Sequence, residues 1–338
     1  MTRRRLFQGL ATVIGAVCLL VLSGVLSAQG NSDNAFERVK EVQERHTEAM
    51  MARQGVVGTG VGLNDQGRHA VVVLLESPGV GGIPQELEGV PVHPVVTGKI
   101  YALPKGGKPG GGTPAPSPTS KWRPVPIGVS TGNIGECSAG TIGCKLVGGY
   151  ALSNNHVYAL ENNAETGSQI VQPGRYDVSC ATNPSDVIGT LSYFVPINFG
   201  GTNTVDAAMA ACDDALLLNS TPSGGYGTPK SETTEPVLGV AVQKYGRTTA
   251  LTKGQIAGVS FTVRVGYSGG TATFTNQIMV TSRKAFIKAG DSGSLLVTDP
   301  GKKPVGLLFA GDQSGRYAWA NDIHDVLAGL GGMSIDGE

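Results

Sequence analysis

Residues 288–297, KAGDSGSLLV, place Ser292 in a Gly-Asp-Ser-Gly turn that opens onto an apolar run. A serine hydroxyl is a weak nucleophile at neutral pH and needs an imidazole to take its proton. The imidazole needs a buried carboxylate to hold its tautomer and stabilise the charge it acquires. From Ile127 onward the chain contains two histidines, His156 and His324. His324 falls in an expected terminal helix, whereas His156 closes the apolar run in YALSNNH, so elimination makes His156 the base for Ser292. The expected acid is Asp206 in TVDAAMAA, where a mostly buried carboxylate would be both costly and useful. Asp177, Asp186, Asp213 and Asp214 compete, in polar or turn-like surroundings typical of solvated acids. Gly290 lets the main chain approach a substrate carbonyl closely, and the N–H groups of Gly290 and Ser292 are candidates for an oxyanion hole. A G-x-S-x-G elbow is excluded, because residue 294 is serine and no strand-turn-helix pattern follows.

Positioning these groups falls to strands. The chain has 338 residues, 51 of them glycine, and only 6% aromatics, which favours many turns and short β-branched strands over long helices. From 127 to about 330 short β-prone runs follow one another with glycine punctuation and no long helix between them, the pattern of an antiparallel barrel or sandwich. Asn321 or Asp322 is placed to cap a final helix, DIHDVLAGL, closed by Gly331 and Gly332. Upstream, 34–54 has helical apolar spacing, and two apolar runs joined by Asn64-Asp65-Gln66-Gly67 read as a hairpin. Residues 31–103 thus form an expected small α+β module. His46, His69 and His93 are scattered over it without forming a constellation. Residues 104–126, saturated with proline and glycine, read as a linker.

The first 30 residues carry a basic head, Arg3-Arg4-Arg5, an apolar body from about Leu6 to Leu26 and small residues near Ala28, the organisation of an export signal and compatible with the twin-arginine type. The apolar body is also close to the roughly 20 residues that span a bilayer, so an uncleaved anchor is the alternative, and membrane contact is expected only in that case. With the three leader arginines set aside, 23 basic residues face 26 acidic ones, which leaves no footprint for nucleic acid. Beyond the leader lie Cys137, Cys144, Cys180 and Cys212, an even number that suggests disulfides in an exported chain, with Cys137–Cys144 and Cys180–Cys212 the favoured pairing of three. No CxxC pair or nearby histidine has zinc-ligand spacing, and no metal or organic cofactor is expected.

LSNNHV, VDAAMA and GDSGSLLV resemble, in that order, the base, acid and nucleophile segments of the trypsin-like, chymotrypsin-fold serine endopeptidases. KYGRTTALTKGQI resembles the opening strand pair of the second barrel in bacterial secreted members and narrow-leaf-type peptidases. The resemblance covers roughly 127–330 and implies two antiparallel six-stranded β-barrels, a His156–Asp206–Ser292 triad and a polypeptide substrate. It further implies that PVGLLFAG pairs with the substrate backbone, and that Phe286, with Phe309, Ala310 and Gly311, shapes a primary pocket with uncharged preference. Ala250 stands where the family usually has glycine, and no activation-site pattern precedes Ile127. The N-terminal module is compatible with a pro-region that assists folding or blocks the cleft, a substrate-presenting element or a plain accessory domain. A catalytically silent barrel serving as a surface binding or adhesion module is the alternative to the endopeptidase.

Overall fold

The computed structural model describes residues 34–102 and 117–338; the expected leader and residues 104–116 of the expected 104–126 linker lie outside the described residues, whereas 117–126 pack on the first barrel, with Trp122 and Val125 in its core cluster. Helix α1, over 34–51, buries Val39, Val42, Gln43 and Met50 at three-, four- and seven-residue steps, which put them on one face. That face covers the antiparallel hairpin of β1 (Val56–Leu63) and β2 (His69–Leu75), followed by β3 (Glu86–Leu87), β4 (Val90–Val96) and β5 (Ile100–Ala102).

The first barrel uses β6 (Ser130–Asn133), β7 (Gly140–Thr141), β8 (Lys145–Leu146) and β9 (Tyr150–Ser153), then the single helical turn α2 (Asn155–Tyr158). It continues with β10 (Gln169–Val171) and β11 (Val187–Phe194), loses β12 (Thr202–Asn203) to the neighbouring sheet, and ends with β13 (Ala208–Cys212). Strand order is β7-β6-β10-β11-β13-β9-β8. Since β7 and β8 are the two ends of one segment, paired with β6 at its start and β9 at its end, the sheet closes into a six-walled antiparallel barrel.

The second barrel comprises β14 (Ala241–Gly246), β15 (Ala250–Tyr267), β16 (Gly270–Thr281), β17 (Leu295–Thr298), β18 (Pro304–Gly311) and β19 (Tyr317–Asp322). Its antiparallel pairings run β14-β15-β16-β19-β18-β17 and back to β14. Phe261, Val263 and Val265 alternate inward along β15 and meet Phe274, Phe309 and Trp319. Helix α3 (Ile323–Gly329) follows, capped by Asp322, whose carboxylate accepts the His324 N–H at 2.8 Å. The chain is therefore mainly β, with two antiparallel six-stranded barrels and a C-terminal helix.

The N-terminal helix and strands share the second barrel's sheet: β1 pairs antiparallel with β15, and α1, β1 and β2 enter one core cluster with Ile278, Leu296 and Leu308. A Cβ at Gly60 of β1 would meet the ring of buried Phe261 at 2.5 Å. Gly60→Ala is accordingly expected to destabilise the whole chain by about 1–3 kcal/mol through overpacking. Thermal unfolding should show one transition moved down; a shift confined to a minor early transition would mean that the N-terminal strands unfold independently.

The cysteine pairing differs from both expected bridges. Cys137 is joined to Cys180, with Cα atoms 5.1 Å apart, and Cys144 and Cys212 are free thiols. Cys144 points into a cluster with Leu146, Leu152 and Leu307, so its closeness to Cys137 along the chain does not bring the two sulfurs together. The short helix Arg175–Val178 docks on the 137–140 loop, with the Tyr176 N–H on the Ser138 carbonyl, and this delivers Cys180 to Cys137. Burial pushes the Cys212 thiol up to about 11.

Candidate functional site

Strand register brings His156 and Asp206 together. Ala208 of β13 lies opposite Ser153 of β9, so the residues just before β13 and just after β9 leave the first barrel at the same end. There Nδ1 of His156 is 2.6 Å from Oδ2 of Asp206, and the His156 main-chain N–H donates to Oδ1 at 3.1 Å. Both side chains have no exposed surface. Holding the acid costs desolvation, which one further donor to the carboxylate offsets, while two asparagines fix the Asp206 main chain. The Tyr267 hydroxyl donates to Oδ2 at 2.9 Å, Asn321 accepts the Asp206 N–H at 3.0 Å, and Asn154 donates to the Asp206 carbonyl at 2.7 Å. Among the described residues Nε2 of His156 is buried and makes no hydrogen bond. With Nδ1 directed at a carboxylate, Nε2 is the atom left for proton exchange.

Tyr267 ends β15 and escaped the sequence reading. Its ring meets His156 edge-on at 6.0 Å and Phe199 at 5.7 Å. Glu161, from the loop after His156, accepts Ser268 N–H and Oγ–H and Gly269 N–H at 3.1, 2.6 and 2.8 Å, clamping the β15–β16 turn to the first barrel. Burial, reinforced by the charge of Asp206, holds the Tyr267 phenol well above its ordinary range, so it remains a donor. The only local sequence signal is an aromatic residue before a Ser-Gly-Gly turn; its partner lies 61 residues away.

The Ser292 turn is held from both barrels. Gly290 has φ +96°, and a Cβ there would strike Thr248 Oγ1 at 2.6 Å and the Arg247 guanidinium at 2.8 Å, so only glycine fits. Asp291 Oδ1 accepts the N–H groups of Thr248 and Thr249 at 2.8 and 3.0 Å, while Oδ2 accepts Thr249 Oγ–H at 2.7 Å and Lys288 N–H at 2.9 Å. Buried Lys244 lies 3.5 Å from the same carboxylate, and its own burial lowers its pKa against the pull of Asp291. The KYGRTT corner thus cradles the Ser292 turn. From the first barrel, Thr141 donates its N–H to the Ser292 carbonyl at 2.8 Å and its hydroxyl to the Gly290 carbonyl at 2.8 Å. Ser153, three residues before His156, donates to the Thr141 carbonyl at 2.8 Å. The Ser292 hydroxyl itself is buried, 3.5 Å from the Phe309 carbonyl.

The competing acids are engaged elsewhere. Asp177 pairs with Arg247 and accepts from Ser130, Asp186 pairs with Lys121 and Asp214 with Lys145; Asp213 caps its own turn through Ala215 N–H. Of the residues expected to meet substrate, Phe286 and Phe309 are wholly buried in two different core clusters, while Ala310 and Gly311 pair through their main chains with Ala102 and Tyr101 of β5. Glu235, Asp322 and His324 bring potential ligand atoms within 4.8 Å of one another, an arrangement accounted for by the α3 cap. Ala250 adopts φ +51°.

No family model and no curated protein matches the sequence. Solved structures do match. Cellulomonas bogoriensis chymotrypsin is 21% identical, covers 63% of this chain and 99% of its own, and has a TM-score of 0.44. For Thermobifida fusca protease A the values are 20%, 63%, 99% and 0.45. A glutamic acid-specific serine protease that uses a histidine triad in substrate binding gives 19%, 62%, 100% and 0.43.

Proposed function

We propose that this chain is an exported serine endopeptidase. The observation that carries the reading is the wholly buried His156–Asp206 pair, which leaves Nε2 for proton exchange, together with a Ser292 turn fixed from both barrels. In this reading the Ser292 Oγ attacks a peptide carbonyl while its proton passes to Nε2 of His156. Asp206 keeps Nδ1 protonated and stabilises the imidazolium, without taking the proton itself. The N–H groups of Gly290 and Ser292 receive the negative charge that develops on the carbonyl oxygen. The intermediate collapses as His156 protonates the leaving amine, and water attacks the acyl-enzyme by the same route in reverse. An extended polypeptide would pair with the main chain of β18. The Cys137–Cys180 bridge and the basic, apolar leader support export.

A serine-directed fluorophosphonate tests this, because its reaction forms an Oγ–P bond and expels fluoride only when the base accepts the serine proton. Labelling is expected at Ser292 and lost in Ser292→Ala and His156→Ala. Labelling that persists in Ser292→Ala, or none in the folded chain with β5 either paired or displaced, overturns the reading in favour of a binding module. Tyr267→Phe keeps the ring and removes one donor to a buried carboxylate, an interaction worth about 1.5–3 kcal/mol, so Tm is expected to fall by a few degrees and turnover of a small ester roughly tenfold or more. Wild-type activity should show no alkaline loss from phenol ionisation through pH 10, since the folded phenol titrates above that.

A further inference from the structure

Strand β5 leaves the strands that precede it and enters the second barrel. It lies parallel to β15, with Ile100 opposite Val265 and Tyr101 opposite Gly266, and antiparallel to β18, with Tyr101 opposite Gly311 and Ala102 opposite Ala310. Ala310 and Gly311 are the residues through which β18 would receive a substrate backbone. Each residue of a receiving strand offers one N–H and one C=O, so β5 and an added peptide strand cannot both pair at the same place.

We propose that β5 is an autoinhibitory strap built permanently into the fold, a self-supplied strand that competes with extended polypeptides for β18. The inference rests on the reading of β18 as the substrate strand. Its anchor is Ile100 and Ala102, 2% and 3% exposed, which pack in one cluster with Phe309 and Trp319, whereas Tyr101 between them is 44% exposed. The residues upstream belong to the second barrel's own sheet and core. A cut in the linker therefore leaves β5 in place, and this distinguishes it from a segment that departs on processing. A cavity of about 650 Å³ adjoins β5, lined by Ile100, Tyr101, Arg264 and Tyr267. A strap that is closed most of the time lowers apparent substrate affinity in proportion to the open fraction. Small reagents that use only the reacting groups do not compete for β18 and escape this effect.

The test compares the full chain with Ile100→Asp, which puts a charge into the anchor, and with Tyr101→Pro, which removes a main-chain donor at an exposed position. Three rates are measured: fluorophosphonate labelling, hydrolysis of a single-residue ester, and hydrolysis of a peptide with at least four residues before the scissile bond. The expected result is a kcat/KM for the peptide about 10-fold or more higher in both variants, with ester hydrolysis and labelling within about threefold of wild type. Labelling that appears only in the variants overturns the strap as a competitor for β18, because a reagent that does not use β18 should react whether or not β5 is paired. Peptide rates unchanged while all three proteins label overturn the strap and leave the proposed activity standing. Absence of labelling in all three folded proteins overturns the activity, and the strap with it. Should Ile100→Asp not fold, Tyr101→Pro decides alone.

Discussion

Ser292→Ala is expected to abolish fluorophosphonate labelling and to lower peptide and ester turnover by about a millionfold, down to what binding and backbone donors supply without a nucleophile. The fold should not register the change. The Ser292 hydroxyl lies 3.5 Å from the Phe309 carbonyl, while the turn is held by other atoms: the Ser292 carbonyl on Thr141, the Gly290 carbonyl on the same residue, and the Asp291 carboxylate on Thr248, Thr249 and Lys288. Thermal stability within experimental error of wild type, together with loss of labelling, is the outcome to look for. If Ser292→Ala instead lowers Tm by several degrees and turnover only several-fold, the hydroxyl is a structural group and the nucleophile is elsewhere.

How far the sequence foretold these features depends on what kind of physics specifies each. The pairing of His156 with Asp206 was legible because the region offers two imidazoles and an acid at the head of an apolar strand is conspicuous. An antiparallel barrel or sandwich was legible from the succession of short apolar runs and turns, each a local pattern; two six-stranded barrels were expected only from the resemblance. What eluded the reading was fixed by partners distant in sequence. Tyr267 becomes a donor to Asp206 only because Glu161 clamps its turn to the other barrel. Thr141 is one more threonine in a β-prone stretch until the nucleophile turn is laid against it. The disulfide was mispaired because spacing between cysteines says nothing about which way a strand directs their side chains, and Cys144 faces the core. The N-terminal strands carry hairpin signals, but which open sheet edge they would join is not written in any local window; β1 found the edge of β15, and β5 the edge of β18.

Asp206→Asn is the sharper test of mechanism, because it preserves volume while reversing half of the hydrogen-bonding capacity. The wild-type carboxylate accepts from His156 Nδ1, His156 N–H and Tyr267 Oη, three donors converging on two oxygens. An amide has one oxygen and one NH2 group. If its oxygen serves the His156 N–H, its NH2 faces Nδ1, which must then become an acceptor; the proton moves to Nε2, and the base can no longer receive the proton of Ser292. If the amide is turned round, its NH2 confronts a main-chain donor 3.1 Å away in a wholly buried site, a clash of donors without water to relieve it. The first arrangement is the less costly, so the variant is expected to fold and to lose about 10⁴-fold in kcat at neutral pH through the wrong tautomer. The tautomer itself is observable: ¹⁵N NMR of the imidazole should show Nδ1 protonated in wild type and Nε2 protonated in the variant. Turnover within about tenfold of wild type, with the imidazole still protonated at Nδ1, would transfer the orienting role to another acceptor. Since Asp177, Asp186 and Asp214 are each committed to a cation of their own, that acceptor would have to come from a rearranged loop.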